Sequence, residues 1–258
     1  MMKGAFRMET IIFKKEGRTG FLTLNRPDKY NAVDGTMVSE LEDFWKERLN
    51  DHSTGVIILD GGSAKGFCAG LDMKTLGPEI FAGDTIDMYT GQRRLSRLLL
   101  AMRRAPQPII CCVHGSAAGL GFSLAMASDI RIISPDSRFC AAYLNIGLGG
   151  ADMAASYFLP RLIGTGRAHE FLLTGNWMTS QEADRLGFAS RVVEKEKLLE
   201  TAKQIADIMN SKNPLGIRMT KEALNCSVDA QGLEAAIEME DRNQVLMILD
   251  KKITGSML

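Results

Sequence analysis

Two glycine-containing segments of the sequence have the residue types that bind an anion through backbone N–H groups. They lie about fifty residues apart, with F-C-A-G-L-D at residues 67–72 and G-S-A-A-G-L-G at residues 115–121. Each follows an apolar, strand-like run and leads towards a predicted helix. Because N–H groups at such turns and helix starts lack backbone partners, they are suited to negative charge. The two segments therefore predict the halves of one oxyanion hole, which favours an enzyme.

The same segments resemble the enoyl-CoA hydratase/isomerase (crotonase) superfamily. The resemblance is carried by F-C-A-G-L-D, by V-H-G-S-A-A-G-L-G-F-S-L-A-M-A-S-D at residues 113–129 and by F-L-L-T-G at residues 171–175, in this order and spacing. It extends from about Thr10 to about Val193. It implies a coenzyme A thioester whose carbonyl accepts hydrogen bonds from the N–H groups of Leu71 and Leu120. The family usually has glycine in place of Leu120, but leucine supplies the same backbone donor.

A coenzyme A segment is implied by R-P-D-K-Y-N-A-V at residues 26–33. The resemblance places the adenine and pantetheine against the backbone here and Lys29 and Arg26 near the phosphates; plain surface charge is the alternative for either side chain. Coenzyme A enters as part of the substrate; no tightly bound cofactor and no metal site are expected, since no metal-ligand spacing occurs. The expected binding residues are Lys29, Asn31, Ala32, Val33, Ala69, Leu71 and Asp72.

The two glutamates with which hydratases of this family activate water are replaced here by Ser123 and Tyr143. Neither side chain can act as a carboxylate base, so standard enoyl-CoA hydration is disfavoured. Tyr143 is still expected to orient a substrate or water by hydrogen bonding, with packing in the core as the alternative.

One acid remains as a catalytic candidate, Asp152. The stretch G-L-G-G-A-D-M-A-A-S-Y at residues 147–157 resembles the segment in which dienoyl-CoA isomerase and 4-chlorobenzoyl-CoA dehalogenase carry an active-site aspartate. Asp152 is then a proton shuttle or a nucleophile, and the alternative is a helix cap. Leu100 stands where the dehalogenase carries its histidine base, which favours proton transfer and double-bond isomerisation. Hydration, hydrolysis or dehalogenation, and a catalytically silent acyl-CoA-binding oligomer, remain as rivals.

Composition is consistent with an ordinary globular protein. Of 258 residues, 45% are hydrophobic, and 31 basic residues balance 31 acidic ones, which does not point to nucleic acid or a membrane as partner. The five cysteines are odd in number and show no C-x-x-C spacing, so reduced, largely buried thiols of a cytoplasmic protein are expected. No apolar run approaches the length of a membrane span.

The elements that position these residues alternate between strand and helix. A hairpin over residues 11–24, a helix capped by Asp34 and a strand from Val56 begin a β-α-β order that predicts an α/β fold. A mixed segment at residues 77–91 precedes a long amphipathic helix, and T-S-Q-E at residues 179–182 predicts a capping box. The resemblance implies a crotonase-like core of repeated β-β-α units over residues 1–195. It also implies a helical C-terminal region over residues 196–258 that covers the active site and forms a homotrimer or a hexamer.

Overall fold

A six-stranded sheet forms the centre of the computed structural model, which describes residues 8–78, 83–230 and 232–254. Strand β1 pairs antiparallel with β2, and all later neighbours in this sheet pair in parallel. The spatial order is β1-β2-β3-β4-β6-β9. Its strands are β1 (Ile11–Glu16), β2 (Thr19–Leu24), β3 (Val56–Asp60), β4 (Ile109–Val113), β6 (Ile130–Ile133) and β9 (Arg191–Val192).

A smaller, three-stranded sheet lies next to the site. Strand β5 (Ser116–Ala118) pairs in parallel with β7 (Arg138–Cys140), which pairs antiparallel with β8 (Met178–Thr179). Strand β5 is part of the second glycine-containing segment. This sheet therefore holds one half of the predicted oxyanion hole in a fixed register.

Helices cover the large sheet and extend beyond it at the C-terminal end. They are α1 (Gly35–Arg48), α2 (Thr85–Arg104), α3 (Leu120–Ala127), α4 (Ala155–Ile163), α5 (Thr165–Thr174), α6 (Ser180–Arg185), α7 (Leu198–Asn210), α8 (Pro214–Ser227) and α9 (Leu233–Thr254). The predicted caps are confirmed where Asp34 accepts a hydrogen bond from Met37 N and where Thr179 and Glu182 form a capping box. Pro160 does not end α4 early; the helix continues to Ile163.

The central strands are buried on both faces, as expected for parallel strands covered by helices. In β3, Ile57 and Leu59 face the larger core, which includes α1, α2 and α3, whereas Val56 and Ile58 face a smaller core against α7. Alternate residues thus point to opposite sides of the sheet. The predicted α/β class with a helical C-terminal region is confirmed.

Helix α3 is buried along its whole length, and all eight of its residues are shielded from solvent. Its last carbonyls are hydrogen-bonded by two arginines. Arg131 Nη1 donates to Ala125 O at 3.4 Å and Ser128 O at 2.7 Å, and Arg103 Nη1 donates to Ala127 O at 3.4 Å. Positive charge at the C-terminus of a helix complements its dipole. The hydrogen bonds from Arg103 and Arg131 at the C-terminal end of α3 therefore help to fix the position of the whole helix, including its N-terminus.

Four cysteines are buried as free thiols and Cys226 is exposed, close to the expectation. None of the helices in the described ranges is long and apolar enough to cross a membrane. The division at residue 195, the homotrimer or hexamer and the cytoplasmic location stay predictions.

Candidate active site

The two glycine-containing segments lie side by side, joined by backbone hydrogen bonds. Phe67 N donates to His114 O at 2.8 Å, Cys68 N to Ser116 O at 3.1 Å and Ala118 N to Cys68 O at 3.0 Å. These bonds form a parallel bridge between Cys68 and Ala117. The structure thus brings together two segments that are far apart in the sequence.

Glycine is required where the segments touch. A Cβ atom on Gly121 would lie 2.7 Å from the Cβ of Cys68, closer than non-bonded carbons approach. Gly70 has a φ of 92°, and a Cβ there would lie 2.9 Å from Ala118 O. The positive φ and the close contact both exclude larger residues. The glycines therefore set the separation between the two halves.

The N–H groups of Leu71 and Leu120 have no hydrogen-bond acceptor within the described part of the chain. Their neighbours are bonded: Ala69 N donates to Tyr30 O, Asp72 N to Val33 O and Gly119 N to Cys140 O. Leu120 is also the first residue of α3, where the helix dipole adds partial positive charge. Both N–H groups are suited to donate hydrogen bonds to one ligand oxygen placed between them.

Both leucines line one cavity of about 130 Å³. Its walls are mainly apolar, and Asp152 is the only carboxylate among the described residues that line it. The lining residues are Ala69, Gly70, Leu71, Met73, Gln92, Gly119, Leu120, Ala142, Tyr143, Ile146, Leu148 and Asp152. The cavity therefore combines a pair of backbone donors with one acid, the combination that proton transfer next to a carbonyl requires.

Asp152 is held by two N–H donors that reach the same oxygen. Gln92 Nε2 donates to Asp152 Oδ1 at 2.5 Å, and Met153 N donates to the same atom at 2.7 Å. The capping interpretation is wrong, because α4 begins at Ala155 and its N-cap is Ala154, in the left-handed region. The side chain of Asp152 is thus directed to the cavity and to α2 rather than to the α4 N-terminus.

Tyr143 and Ser123 hydrogen-bond to each other across 3.0 Å, and both are buried. Burial raises the pKa of the Tyr143 hydroxyl well above its ordinary value, and the nearby Asp152 carboxylate adds to the rise. Tyr143 is neutral near pH 7, and it lines the cavity with a side chain whose hydroxyl can form hydrogen bonds. Ser123 lies inside α3 and has its hydroxyl occupied by Tyr143.

The predicted coenzyme A residues form a second pair of adjacent segments. Val33 N donates to Gly70 O at 2.8 Å, so residues 30–33 run alongside residues 69–72. Asn31 is fully buried, and its side-chain amide donates to Gly61 O and Phe67 O while accepting from Arg26 N. The buried side chain of Asn31 therefore stabilises the conformation of the loop at residues 26–33 through these hydrogen bonds. Ala69 is exposed and lines the cavity, Lys29 is exposed in the loop before Tyr30, and their contacts with coenzyme A stay predictions.

Arg26 is engaged by two carboxylates and by a backbone oxygen. Its guanidinium lies 3.0 Å from Asp72 and 3.1 Å from Asp34, and it also donates to Ala32 O. Burial alone would raise the pKa of Asp72, but hydrogen bonds from Arg26 and from the N–H groups of Lys74 and Thr75 hold that pKa below its ordinary value. Because Asp34 and Asp72 neutralise its charge, Arg26 stabilises the fold between residues 26–34 and Asp72. This role argues against a contact between Arg26 and the phosphates of coenzyme A.

The remaining candidates lie outside the cavity. His114 is buried, with Nε2 2.7 Å from Ala64 O, and Leu100 is half-exposed on α2. In the mixed segment before α2, residues 79–82 lie outside the described residues. Asp84 caps α2 by accepting from Ile86 N and Asp87 N.

Among the lining residues that sequence reasoning did not find are Gln92, Met73, Ile146 and Leu148. Gln92 lies on an amphipathic helix with no motif around it, and its contact with Asp152 spans sixty residues. The three apolar residues are partly exposed in loops or at turns, where no periodicity marks them. Gln92 is the one amide side chain of α2, and this was the available signal.

Comparison with known proteins agrees with this geometry. The family model described as enoyl-CoA hydratase/isomerase matches residues 15–258. A Mycobacterium tuberculosis (strain ATCC 25618 / H37Rv) protein named as a probable enoyl-CoA hydratase is 37% identical over 232 residues, 88% of this chain and 81% of the relative. The 1,2-epoxyphenylacetyl-CoA isomerase of Escherichia coli (strain K12) is 32% identical over 240 residues, 90% of this chain and 88% of the relative.

Among solved structures, a probable enoyl-CoA hydratase/isomerase from Mycobacterium abscessus superimposes with a TM-score of 0.85 at 32% identity. The match covers 93% of this chain and 90% of that chain. The family-model match over residues 15–258 includes the cavity and both segments that form it.

Proposed function

The chain belongs to the enoyl-CoA hydratase/isomerase family, and on this basis we propose that it isomerises an unsaturated acyl-CoA by moving a double bond along the acyl chain. The family establishes the coarser activity, that of an enzyme acting on acyl-CoA thioesters. The finer reaction rests on the composition of the cavity.

The backbone donors stabilise the charge that the reaction creates. When a thioester loses an α-proton, negative charge develops on its carbonyl oxygen. The N–H groups of Leu71 and Leu120 then hydrogen-bond the enolate oxygen more strongly than the neutral carbonyl. One donor in such a site contributes roughly two to three orders of magnitude in rate.

Asp152 moves the proton. Its carboxylate removes a proton from the α-carbon of a β,γ-unsaturated acyl group, and the electron pair delocalises over the conjugated enolate. The same carboxyl group then returns the proton to the γ-carbon, which leaves an α,β double bond. No water, electron or further group is gained or lost, so a single acid is sufficient.

The observation that carries the proposal is that Asp152 is the only carboxylate among the described lining residues. Hydration, which the name of the mycobacterial relative suggests, needs a group that activates water. The Ser123 hydroxyl is fully buried against Tyr143, and Tyr143 is neutral near pH 7 like any tyrosine, with burial raising its pKa further. The relative from E. coli, named as an isomerase, is a precedent for isomerisation in this family.

The test is product analysis with labelled solvent. The protein is incubated with saturated, enoyl, dienoyl and aromatic CoA thioesters in D₂O and in H₂¹⁸O, and products are followed by mass spectrometry. We expect bond migration with deuterium incorporation and without ¹⁸O. Asp152→Asn should lower this turnover by roughly two to four orders of magnitude while thermal unfolding stays unchanged.

Asp87→Asn is the matched control, because Asp87 is an exposed acid outside the cavity lining. Incorporation of ¹⁸O would instead identify hydration or hydrolysis. Binding of acyl-CoA without any turnover would favour the catalytically silent oligomer, and full activity of Asp152→Asn would overturn the proposal.

A further inference from the structure

We infer that Gln92 is a positioning residue that makes Oδ2 the proton-carrying oxygen of Asp152. The inference rests on the proposed function, because it concerns the acid that moves the proton there. Gln92 lies in the middle of α2, is partly buried and lines the cavity. Its 2.5 Å hydrogen bond joins α2 to the loop that precedes α4.

The two donors on Asp152 converge on one oxygen. Gln92 Nε2 and Met153 N both donate to Oδ1, while Oδ2 has no protein donor within the described part of the chain. An ionised carboxylate can only accept, so the Gln92 amide presents its NH₂ end. An oxygen that already accepts two N–H groups is less basic than its partner, and Oδ2 therefore takes the proton.

Both hydrogen bonds persist through the reaction. When Oδ2 is protonated, Oδ1 becomes the carbonyl oxygen of a carboxylic acid and still accepts from Gln92 and Met153. The carboxyl group need not rotate between removing the proton and returning it. Such fixed orientation is the means by which a site maintains a reactive geometry.

Helix α2 is a rigid support for Gln92. Leu95, Leu98 and Leu99, in the turns that follow Gln92, are buried in the main core. The side chain of Arg94 reaches α1, where its Nε lies 2.9 Å from Glu42 Oε1. The amide is thus attached to a helix that is packed in the main core and ion-paired to α1.

The charge environment of Asp152 allows a clear pH readout. Tyr143 is the other titratable residue among the described residues lining the cavity; a tyrosine is already neutral near pH 7, and burial raises the pKa of Tyr143 further. A change in the hydrogen bonds to the Asp152 carboxylate can therefore be followed in the acidic limb of the rate profile. Gln92 stabilises the ionised form, since hydrogen bonds to a carboxylate favour its charge.

Two variants test the inference against Ser96→Ala, a control one turn further along α2 and outside the cavity lining. Gln92→Met keeps the length of the side chain and removes the donor, whereas Gln92→Glu keeps the shape and adds a like charge. We expect kcat to fall about tenfold or more in Gln92→Met with KM little changed. We also expect the acidic limb of its pH profile to move to higher pH, because a hydrogen bond to the carboxylate is lost, and that of Gln92→Glu to move further.

The outcomes separate this inference from the proposed function. Gln92→Met or Gln92→Glu with an unmoved acidic limb, whatever its rate, would overturn the role of Gln92 while Asp152→Asn remains inactive. An active Asp152→Asn would overturn the proposed function itself. Gln92→His, which can restore an N–H donor, should recover part of kcat, and failure to do so in a folded variant would also count against the inference.

Discussion

The cavity has one wall built from backbone and another built from side chains. The first, here called the oxyanion wall, comprises residues 67–72 and 115–121, which are held together by main-chain hydrogen bonds and glycine contacts. The second, here called the acid wall, comprises Gln92 and residues 143–152. Its reactive group is held by one side-chain amide and one N–H of the next residue.

The difference separates the chemistry that the family shares from the chemistry that each member selects. Backbone donors are almost independent of side-chain identity, so the oxyanion wall can retain its function while the sequence changes, as Leu120 in place of glycine illustrates. The acid wall depends on particular side chains. Exchange of one carboxylate for serine or tyrosine changes which reactions are available without altering the fold.

The largest effect expected in the oxyanion wall comes from removing one of its backbone N–H donors. Proline is tolerated at the first position of a helix, so Leu120→Pro should preserve α3 while removing the N–H donor. We expect turnover to fall roughly 10²- to 10³-fold. Steady-state kinetics with circular dichroism measures both properties. Leu120→Ala keeps the donor and should retain the rate of the folded protein despite lower stability, so an equal loss in both variants would contradict the backbone role.

A smaller effect is expected at Asp72, whose ion pair with Arg26 links the oxyanion wall to the segment at residues 26–34. Asp72→Asn should lower the free energy of unfolding by about 1.5 kcal/mol at pH 7, because a charge-assisted hydrogen bond with Arg26 is weakened. Since the pKa of Asp72 in the folded protein lies below its ordinary value of 3.8, this stabilisation is fully present above that value. It is lost as the pH falls through the lowered pKa.

Thermal unfolding of the wild type and Asp72→Asn between pH 7 and pH 3 measures the difference. The stability gap should narrow at the acidic end. A gap that stays constant or widens would show that the Asp72 charge does not contribute in the folded state.

The smallest effect is expected from relieving backbone strain at the junction between the acid wall and α4. Met153 and Ala154 have φ values of 47° and 59°, a region that favours glycine. Ala154→Gly should therefore stabilise the protein by about 0.5 kcal/mol, seen as a small rise in Tm. Ala155→Gly, the next residue and the first of α4, should lower Tm instead, and a fall in both would argue against strain at Ala154.

Much of the fold was predictable because local patterns and burial agree. Apolar runs at Val56 and Ile109 mark strands buried on both faces, and Asp34 and Thr179 begin helices through hydrogen bonds within three residues. The short strand β5 was not predicted, since its partner β7 supplies the pairing that its three residues do not indicate alone. Propensity is a weak guide to so short a segment.

The site was predictable to a lesser degree. Glycines mark close backbone approach in any sequence, and they identified the oxyanion wall. Asp152 was identified by resemblance as a catalytic candidate, and the alternative that it caps α4 was wrong because the left-handed turn at Met153 and Ala154 displaces the helix start. Gln92 was not identified, since its role depends on a helix packing that brings residue 92 to residue 152.

Burial of α3 on every side has a consequence for how the protein acquires activity. A helix of eight residues is too short to be stable in water on its own, so it forms only together with the sheet and the arginines that surround it. The Leu120 donor exists only once that assembly is complete. Recovery of turnover after dilution from denaturant should therefore coincide with the last cooperative step of folding, which makes catalysis itself a reporter of the native core.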